Sequence, residues 1–217
     1  MESATNPNSE TTLQLLSQAA AGDAVGWGAL LRRYHDRLRR MIAVRLDPRL
    51  QGRFDPSDVL QETYLDAFGR LQDYLREPRL PFFLWIRFLT GHHLGRIHRD
   101  HLGRQMRDPG REVSLYQWAM PEASSAALAA QLLGRESRPS ELAVRAERIL
   151  RLQEALGRMD PIDREVLSMR HFEHLTRAET AHVLKLSEAA AAKRYLRALE
   201  RLREMLAMLP GGLEEFR

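Results

Sequence analysis

The sequence contains no cysteine, and this absence excludes several kinds of site at once. Without thiols the chain has no disulfide framework, no thiol nucleophile and no thiolate zinc site. It also has no run that approaches the roughly 18 consecutive apolar residues of a membrane helix. Residues 1–12 are polar and acidic, unlike a secretory signal. We therefore expect a cytoplasmic protein with no membrane insertion.

Lysine is almost as scarce as cysteine. Of the 33 basic residues only Lys185 and Lys193 are lysines, and the others are arginines. The planar, permanently charged fork of arginine suits phosphate groups and guanine edges. This bias permits a nucleic-acid partner, and a GC-rich genome explains it equally well.

No convincing strand pattern occurs in the sequence, so we predict an all-α protein. Apolar residues recur at helical spacing from Leu13 and again from Trp27 to Ile42. Asp55-Pro56 and Asp160-Pro161 are typical helix starts. A stretch interrupted by proline, glycine and serine separates two helical parts and contains one weak helical run. The predicted organisation is a disordered tail (1–12), a helical domain (13–108), a linker (109–139), a second helical domain (140–209) and a tail (210–217).

Residues 175–203 predict two helices joined by a very short turn. Thr176 and Glu179 have the spacing of a capping box, and Ser187 is the N-cap of the longer second helix. Lys185 occupies the turn, where we expect a left-handed backbone. This layout is typical of a DNA-binding helix-turn-helix, and the alternative is a helical hairpin with a solvated basic face. The basic side chains on the outer side of the second helix are Lys193, Arg194, Arg197 and Arg201.

The helix predicted from Asp55 to about Tyr74 has one apolar and one acidic side. Carboxylates without a nearby nucleophile or cofactor motif do not indicate catalysis. They form either a solvated face or a docking surface for a basic partner. The acidic side carries Asp55, Asp58, Glu62 and Asp66, and the apolar side carries Leu60, Tyr64, Ala67, Phe68 and Leu71.

A long helix predicted after Pro81 combines aromatic and arginine side chains. Such a mixture suits single-stranded nucleic acid, because bases stack on rings while guanidinium groups bind phosphates. The alternative is that most of the rings belong to the core. His98 and His101 have the i, i+3 spacing of a ligand pair, but no third ligand accompanies them, so we predict no metal site.

Three separated blocks resemble the bacterial extracytoplasmic-function (ECF) RNA polymerase sigma factors. Residues 58–63, DVLQET, resemble the family's D-L-V-Q-E stretch, and residues 82–86, FFLWI, match its F-x-x-W-[LI] motif. Residues 175–198 align without gaps to its helix-turn-helix pattern. This third block departs from the pattern at Lys185, which replaces the turn glycine, and at the alanines of 189–192, which replace G-T-V-K.

The resemblance implies a region 2-like helical bundle and a region 4-like helix-turn-helix domain joined by a linker. It implies core RNA polymerase, through its clamp coiled coil and flap, and promoter DNA as partners, with an anti-sigma factor as a further candidate. No catalytic residue, cofactor or metal is implied, because the polymerase is the enzyme. The implied polymerase-docking residues are Asp55, Asp58, Gln61, Glu62 and Asp66. The implied contacts to the downstream element and the melted strand are Arg79, Phe82, Trp85, Arg87, Arg96 and Arg99. The implied contacts to the upstream element are Arg177, Glu188, Ala189, Ala190, Lys193, Arg194, Arg197 and Arg201.

Two other hypotheses remain open at this stage. A free-standing helix-turn-helix regulator would use its N-terminal half for sensing or dimerisation. A helical enzyme would use the histidines and carboxylates. The acidic helix distinguishes the first from a sigma factor, because only a sigma factor needs it to bind polymerase.

Overall fold

A computed structural model describes residues 7–102, 120–133 and 142–208 of the chain. Every regular element in these ranges is helical, which confirms the all-α prediction. A short 3-10 turn at Pro48–Leu50 separates the second and third α-helices. The α-helices are α1 (Pro7–Ala20), α2 (Ala24–Arg45), α3 (Pro56–Gly69), α4 (Leu71–Arg76), α5 (Phe82–Leu102), α6 (Ser125–Leu132), α7 (Leu142–Arg158), α8 (Pro161–His171), α9 (Arg177–Leu184) and α10 (Glu188–Ala207).

Several helices begin where the sequence places a capping residue. The Asp55 carboxylate accepts a hydrogen bond from the Ser57 N–H at 2.7 Å, and Asp160 accepts one from the Ile162 N–H at 3.0 Å. A proline follows each cap at the first helical position, where no N–H is needed. Each cap satisfies a backbone donor that the helix leaves unpaired and contributes about 1 kcal/mol.

The structure differs from the prediction at two helix boundaries. Helix α1 begins at Pro7, so residues 7–12 are helical although the sequence assigns them to a tail. Thr12 in this segment is buried, and its hydroxyl lies 2.8 Å from the Tyr34 hydroxyl. The helix predicted from Asp55 to about Tyr74 is divided into α3 and α4, because Arg70 leaves the helical conformation after Gly69. The predicted tails at 1–6 and 210–217 and the linker segments 109–119 and 134–139 lie outside the described residues.

Helices α1–α5 form an N-terminal unit around α2. Its core is built from the inward sides of α2, α3 and α5, where Leu30, Leu38, Leu60 and Ile86 are almost fully buried. The amphipathic spacing of these residues explains why the helices pack together.

The linker helix α6 connects the end of α2 to a C-terminal unit, α7–α10. The Ser124 N–H donates a hydrogen bond to the Val44 carbonyl at 2.9 Å, and the Ser124 side chain caps α6. Leu128 of α6 and Leu156 of α7 are buried in one cluster together with Val44 of α2. This contact holds the start of the C-terminal unit against α2.

The loop between α8 and α9, residues 172–176, lies against the N-terminal unit. Arginines of α2 bind its backbone: Arg40 Nε donates to the Phe172 carbonyl at 2.9 Å, and Arg37 Nε donates to the Glu173 carbonyl at 2.7 Å. Arg37 also donates to the His174 carbonyl at 3.2 Å, and its guanidinium stacks 3.4 Å from the centre of the Phe83 ring.

Glu173 places a buried carboxylate between two buried arginines of the N-terminal unit. Its side chain lies 2.8 Å from Arg45 Nη2 and 2.5 Å from Arg87 Nε, and it is fully inaccessible to solvent. Glu165 of α8 also pairs with Arg45, at 2.6 Å, and Ser168 donates a hydrogen bond to Glu173 at 3.3 Å. We call these four ionic groups the interdomain charge cluster. Two cations from the N-terminal unit are thereby balanced by two carboxylates from the C-terminal unit.

We predict that the interdomain charge cluster makes the stability of the protein depend on acid pH. Burial alone would raise the pKa of Glu173, but the charges and hydrogen bonds of Arg45 and Arg87 outweigh it and lower the pKa to about 2. A lowered pKa stabilises the folded state above the ordinary glutamate pKa, and this stabilisation is lost as the pH falls towards about 2. The free energy of unfolding, measured with urea, should therefore be on the order of 3 kcal/mol higher for the wild type than for Glu173→Gln near neutral pH. This difference should shrink below about pH 5.

The matched control is Glu147→Gln, which removes one exposed carboxylate from α7. The free energy of unfolding of this control should stay close to that of the wild type across the same pH range. If the free energies of unfolding of the wild type and Glu173→Gln differ by the same amount at every pH, the pKa of Glu173 is not lowered by folding.

Candidate nucleic-acid interface

The predicted caps of the helix-turn-helix are present. The Thr176 hydroxyl accepts a hydrogen bond from the Glu179 N–H at 3.1 Å, and the Glu179 carboxylate accepts one from the Thr176 N–H at 2.7 Å. The Ser187 hydroxyl accepts one from the Ala190 N–H at 3.2 Å. The capping box and the second N-cap fix where α9 and α10 begin.

Lys185 forms the turn between α9 and α10 in a left-handed conformation, with φ 55° and ψ 41°. The N–H of Leu186 donates back to the Ala181 carbonyl at 2.9 Å, which is the long-range bond of a Schellman-type helix end. The left-handed conformation predicted for Lys185 is confirmed. The turn therefore keeps its glycine-type geometry although a side chain is present.

Helix α10 packs by one side and presents its other side to solvent. Ala191 and Ala198 are buried, while Lys193 and Arg197 on the opposite side are exposed. At the leading end Glu188 and Ala189 are exposed and Ala190 is half-buried, and Arg177 at the start of α9 is exposed. These predicted upstream contacts are accessible in the structure.

Arg194 and Arg201 are held by the protein itself. Arg194 Nη1 lies 3.1 Å from Asp163 Oδ1, and Arg201 Nη1 binds the other oxygen of the same carboxylate. Asp163 is 1% exposed in the first turn of α8. It anchors one edge of α10 to α8, so of the four predicted basic residues of α10 Arg194 and Arg201 are tied to Asp163, whereas Lys193 and Arg197 are exposed. The sequence does not reveal this role of Asp163, because its neighbouring residues indicate only a helix start.

The predicted downstream contacts lie at the start of α5 and along its length. Arg79, Arg96 and Arg99 are exposed, whereas Phe82 is 3% exposed and belongs to the core. Trp85 is half-buried and stacks on Tyr74, with the ring centres 4.5 Å apart. In this conformation Arg96 and Arg99 of α5 are exposed, and of the two predicted rings only Trp85 reaches the surface.

Tyr74 fixes the loop that precedes α5. Its hydroxyl donates a hydrogen bond to the Leu80 carbonyl at 2.9 Å. Burial raises the pKa of Tyr74 to about 12, so the hydroxyl keeps its proton and remains a donor. Arg79 in the same loop pairs with Glu77 at 2.9 Å on the surface.

Arg87 differs from the other predicted downstream contacts. It is 5% exposed and is bound to Glu173 in the interdomain charge cluster. In this conformation Arg87 cannot reach a nucleic acid. Its helical position did not reveal this pairing, because Glu173 lies 86 residues away in the sequence.

The predicted docking residues lie on the outer side of α3, and two of them also build the helix start. Asp58 accepts a hydrogen bond from the Asp55 N–H at 3.0 Å, which completes a capping box. Asp55, Asp58, Gln61 and Glu62 are exposed. Substitution of Asp55 or Asp58 would therefore disturb the helix as well as the surface.

The other acidic residues of this side contact α5. Glu62 pairs with Arg96 at 2.9 Å, and Asp66 pairs with Arg70 at 2.6 Å and with His93 at 3.2 Å. Partial burial opposes ionisation of Asp66, but Arg70 and His93 lower its pKa. The Glu62–Arg96 pair is more than half exposed, and such pairs contribute about 0–1 kcal/mol, so a partner can replace it at little cost.

Apolar side chains border this acidic side. Leu65 is 77% exposed and Phe68 is 56% exposed, and both line a shallow groove of about 550 Å³ together with Trp27 and Tyr64. Phe68 was predicted on the apolar side of the helix, but in the structure it is more than half exposed, and its ring centre lies 5.7 Å from that of Trp27. An exposed apolar patch beside carboxylates is typical of a protein-binding surface.

The described residues contain no group of three or more His, Cys, Asp and Glu side chains that could hold a metal ion. His98 is buried and accepts a hydrogen bond from the Asp47 N–H, whereas His101 lies against the Phe54 ring. Among the same residues no helix combines the length and apolar character that a membrane crossing requires.

We predict that Lys185→Gly increases the free energy of unfolding. Glycine adopts the left-handed conformation without the roughly 1 kcal/mol that a side chain costs there. Urea unfolding should show a gain of about 0.5–1 kcal/mol for Lys185→Gly. Lys185→Ala is the control, because it removes the ammonium group and retains the Cβ atom. Equal stabilities of the two variants would show that residue 185 is not left-handed in solution.

Comparisons with known proteins agree with this geometry. Residues 149–202 match the family model described as "Sigma-70, region 4". The chain is 24% identical over 203 residues to the ECF RNA polymerase sigma factor BldN of Streptomyces coelicolor, covering 94% of this chain and 69% of BldN. It is 25% identical over 194 residues to the RNA polymerase sigma factor CnrH of Cupriavidus metallidurans, covering 88% of this chain and 92% of CnrH.

A solved structure has the same fold. CnrH, in complex with the cytosolic domain of CnrY, superposes with a TM-score of 0.53 at 24% identity, covering 90% of this chain and 97% of CnrH. The region 4 match contains the capped helix-turn-helix, and the similarity to the two sigma factors extends over both helical units. Residues 149–202 therefore match sigma-70 region 4, and over most of its length the chain is similar to bacterial sigma factors of the extracytoplasmic-function kind.

Proposed function

We propose that the chain binds core RNA polymerase, directs it to promoter DNA and assists the opening of the DNA strands. The observation that carries this proposal is the capped helix-turn-helix with Lys193 and Arg197 exposed, in a chain whose N-terminal unit presents a separate acidic side on α3. A basic face suits DNA, and an acidic face repels it. Two faces of opposite charge therefore support one DNA partner and one protein partner.

The upstream contact is made by α10 in the major groove. Lys193 and Arg197 bind phosphates, while Glu188, Ala189 and Ala190 form the leading turn that enters the groove. Alanine offers no hydrogen-bond donor to base edges. Recognition at this element therefore relies on phosphate contacts and DNA shape more than on dense base contacts.

The downstream contact is made by α5 and the loop before it. Arg79, Arg96 and Arg99 bind the backbone of the separated strand, and Trp85 supplies a ring on which a base can stack. Tyr74 holds Trp85 from behind by stacking. The chain performs no bond chemistry in this scheme, because the polymerase is the enzyme.

Docking on the polymerase uses the outer side of α3. Gln61 and Glu62 lie at its centre, and exposed Leu65 adds apolar area next to them. A basic partner surface would gain charge complementarity from the carboxylates and buried area from the leucine. Because RNA polymerase works in the cytoplasm, a chain that binds it is located there. An anti-sigma protein is a further candidate partner, since CnrH has been solved with the cytosolic domain of CnrY.

We predict that Gln61→Arg together with Glu62→Arg abolishes binding to core polymerase. The pair reverses the charge at the centre of the docking side and leaves the Asp55–Asp58 capping box intact. Co-migration with core polymerase in gel filtration and run-off transcription from a library of upstream fragments measure the loss.

The matched control is Gln72→Arg together with Asp73→Arg, an exposed pair on α4 that likewise combines a glutamine with a carboxylate. It changes the net charge equally and should bind polymerase as the wild type does. Undiminished binding by the Gln61, Glu62 variant would refute the docking assignment. If the chain is a free-standing regulator, the wild type itself will not co-migrate with core polymerase.

We predict that Arg197→Ala and Lys193→Ala each weaken binding to duplex DNA and reduce its dependence on salt. Each lost phosphate contact should lower the slope of log K against log salt by about 0.9. Fluorescence anisotropy of a labelled duplex over a salt series measures both quantities. Arg158→Ala, which removes an exposed arginine from the end of α7, should leave the slope unchanged. An unaltered slope in Arg197→Ala would show that this face does not contact phosphate.

A further inference from the structure

We propose that α10 recognises thymine in the upstream element by apolar contact between the thymine C5-methyl groups and two exposed side chains, Leu196 and Ala189. We call these two side chains the apolar line. This inference rests on the proposed function and names the base that the helix-turn-helix selects. Thymine is the unmodified base that presents a methyl group in the major groove, and apolar side chains such as alanine contact that group.

The apolar line lies on the side of α10 that points away from the protein. Ala191 and Ala198 are buried on the inner side. Ala189 precedes Ala191 by two residues, and Leu196 precedes Ala198 by two, and two residues turn an α-helix by about 200°. Ala189 is accordingly exposed, and Leu196 is 58% exposed. Seven residues, close to two complete turns, separate Ala189 from Leu196, so both lie along one line of the helix surface.

Contacts on another side of α10 hold the apolar line in one direction. Asp163 binds Arg194 with one carboxylate oxygen and Arg201 with the other. Together with the buried alanines, these ion pairs prevent rotation of α10 about its own axis. A side chain that recognises a base has to be positioned by its supporting contacts in this way.

Leu196 lies beside the basic groups proposed to bind phosphate. It packs against neither of the two buried clusters of the described residues. A single exposed leucine is ordinary on a protein surface, but Lys193 stands one turn before this one and Arg197 directly after it, both exposed. Phosphates held by these two cations bring base edges onto Leu196. The leucine then loses its contact with water, which favours binding where the base edge is apolar.

The first two turns of α10 offer few other means of recognising a base. Bidentate recognition of guanine uses arginine or lysine, and that of adenine uses asparagine or glutamine. Positions 189–192 are all alanine and provide none of these groups. A methyl contact needs no hydrogen-bond donor, and it distinguishes thymine from cytosine, adenine and guanine. The apolar line therefore supplies base selectivity that alanine cannot supply by hydrogen bonding.

The spacing of the apolar line limits where the thymines lie. Seven residues of α-helix span about 10.5 Å, and base pairs are stacked about 3.4 Å apart. The two side chains therefore reach base pairs that are at most about three steps apart. We expect the recognised thymines to fall within about four neighbouring base pairs.

The test selects duplexes with the chain bound to core polymerase, from a library with a random upstream segment. The retained duplexes should share thymine within about four neighbouring base pairs. Each shared thymine is then replaced by deoxyuridine, which removes the methyl group and keeps the base pair. At a contacted position the affinity of the wild-type complex should fall about fourfold, the ratio expected when one methyl group is no longer buried.

Three variants identify the side chain that makes the contact. Leu196→Ala should abolish the effect of deoxyuridine at one contacted position, and because Leu196 is exposed its replacement leaves the fold intact. Lys193→Ala should weaken binding to thymine and deoxyuridine duplexes alike, since it removes a phosphate contact. The matched control is Leu150→Ala, which removes a leucine that is 60% exposed on α7 and should behave as the wild type.

The inference is overturned if deoxyuridine leaves the affinity unchanged at every position, or if the retained duplexes share no upstream thymine. It is also overturned if Leu196→Ala and the wild type respond equally to deoxyuridine at every position. Failure of the wild type to bind core polymerase would instead contradict the proposed function. The same selection with the full chain alone would then decide whether α10 recognises thymine.

Discussion

The arrangement of the two helical units depends on one buried carboxylate. Glu173 is fully buried, and a buried carboxylate is tolerated only where cations and hydrogen bonds compensate its lost hydration. Arg45 and Arg87 supply this compensation from α2 and α5, two different helices of the N-terminal unit. Neither unit alone contains the opposite charges that neutralise these buried groups. The position of the α8–α9 loop, the direction in which α9 leaves it and the burial of Arg87 all follow from this requirement.

A second buried carboxylate organises the helix-turn-helix itself. Asp163 binds Arg194 and Arg201, which lie seven residues apart on one edge of α10. The two arginines thus serve the internal structure, and the solvent-directed edge carries Lys193 and Arg197. Four basic residues that look equivalent in the sequence therefore divide into two pairs with different tasks. Counting all four basic side chains of α10 therefore overestimates the positive charge that this helix offers to DNA.

The sequence predicts the local structure well and the contacts between distant residues poorly. The Thr176–Glu179 capping box, the Ser187 cap and the left-handed Lys185 were all predicted, because each depends on neighbours within a few residues. The break at Arg70 and the start of α1 at Pro7 were missed, since helix boundaries depend on packing. The partners of Arg87 and Arg201 could not be predicted. An arginine on a helix has the same local pattern whether it faces solvent or a carboxylate from another part of the chain.

The exposed pair between Glu62 and Arg96 joins two surfaces that the proposed function assigns to different partners. A protein that takes over Glu62 leaves Arg96 without its carboxylate, and Arg96 is then available to a phosphate. By reciprocity, DNA that holds Arg96 makes Glu62 more available to the protein. The coupling is bounded by the strength of an exposed ion pair, on the order of 0.5 kcal/mol. Docking and strand capture are therefore weakly cooperative through a single pair of side chains, with no change in the backbone of α3 or α5.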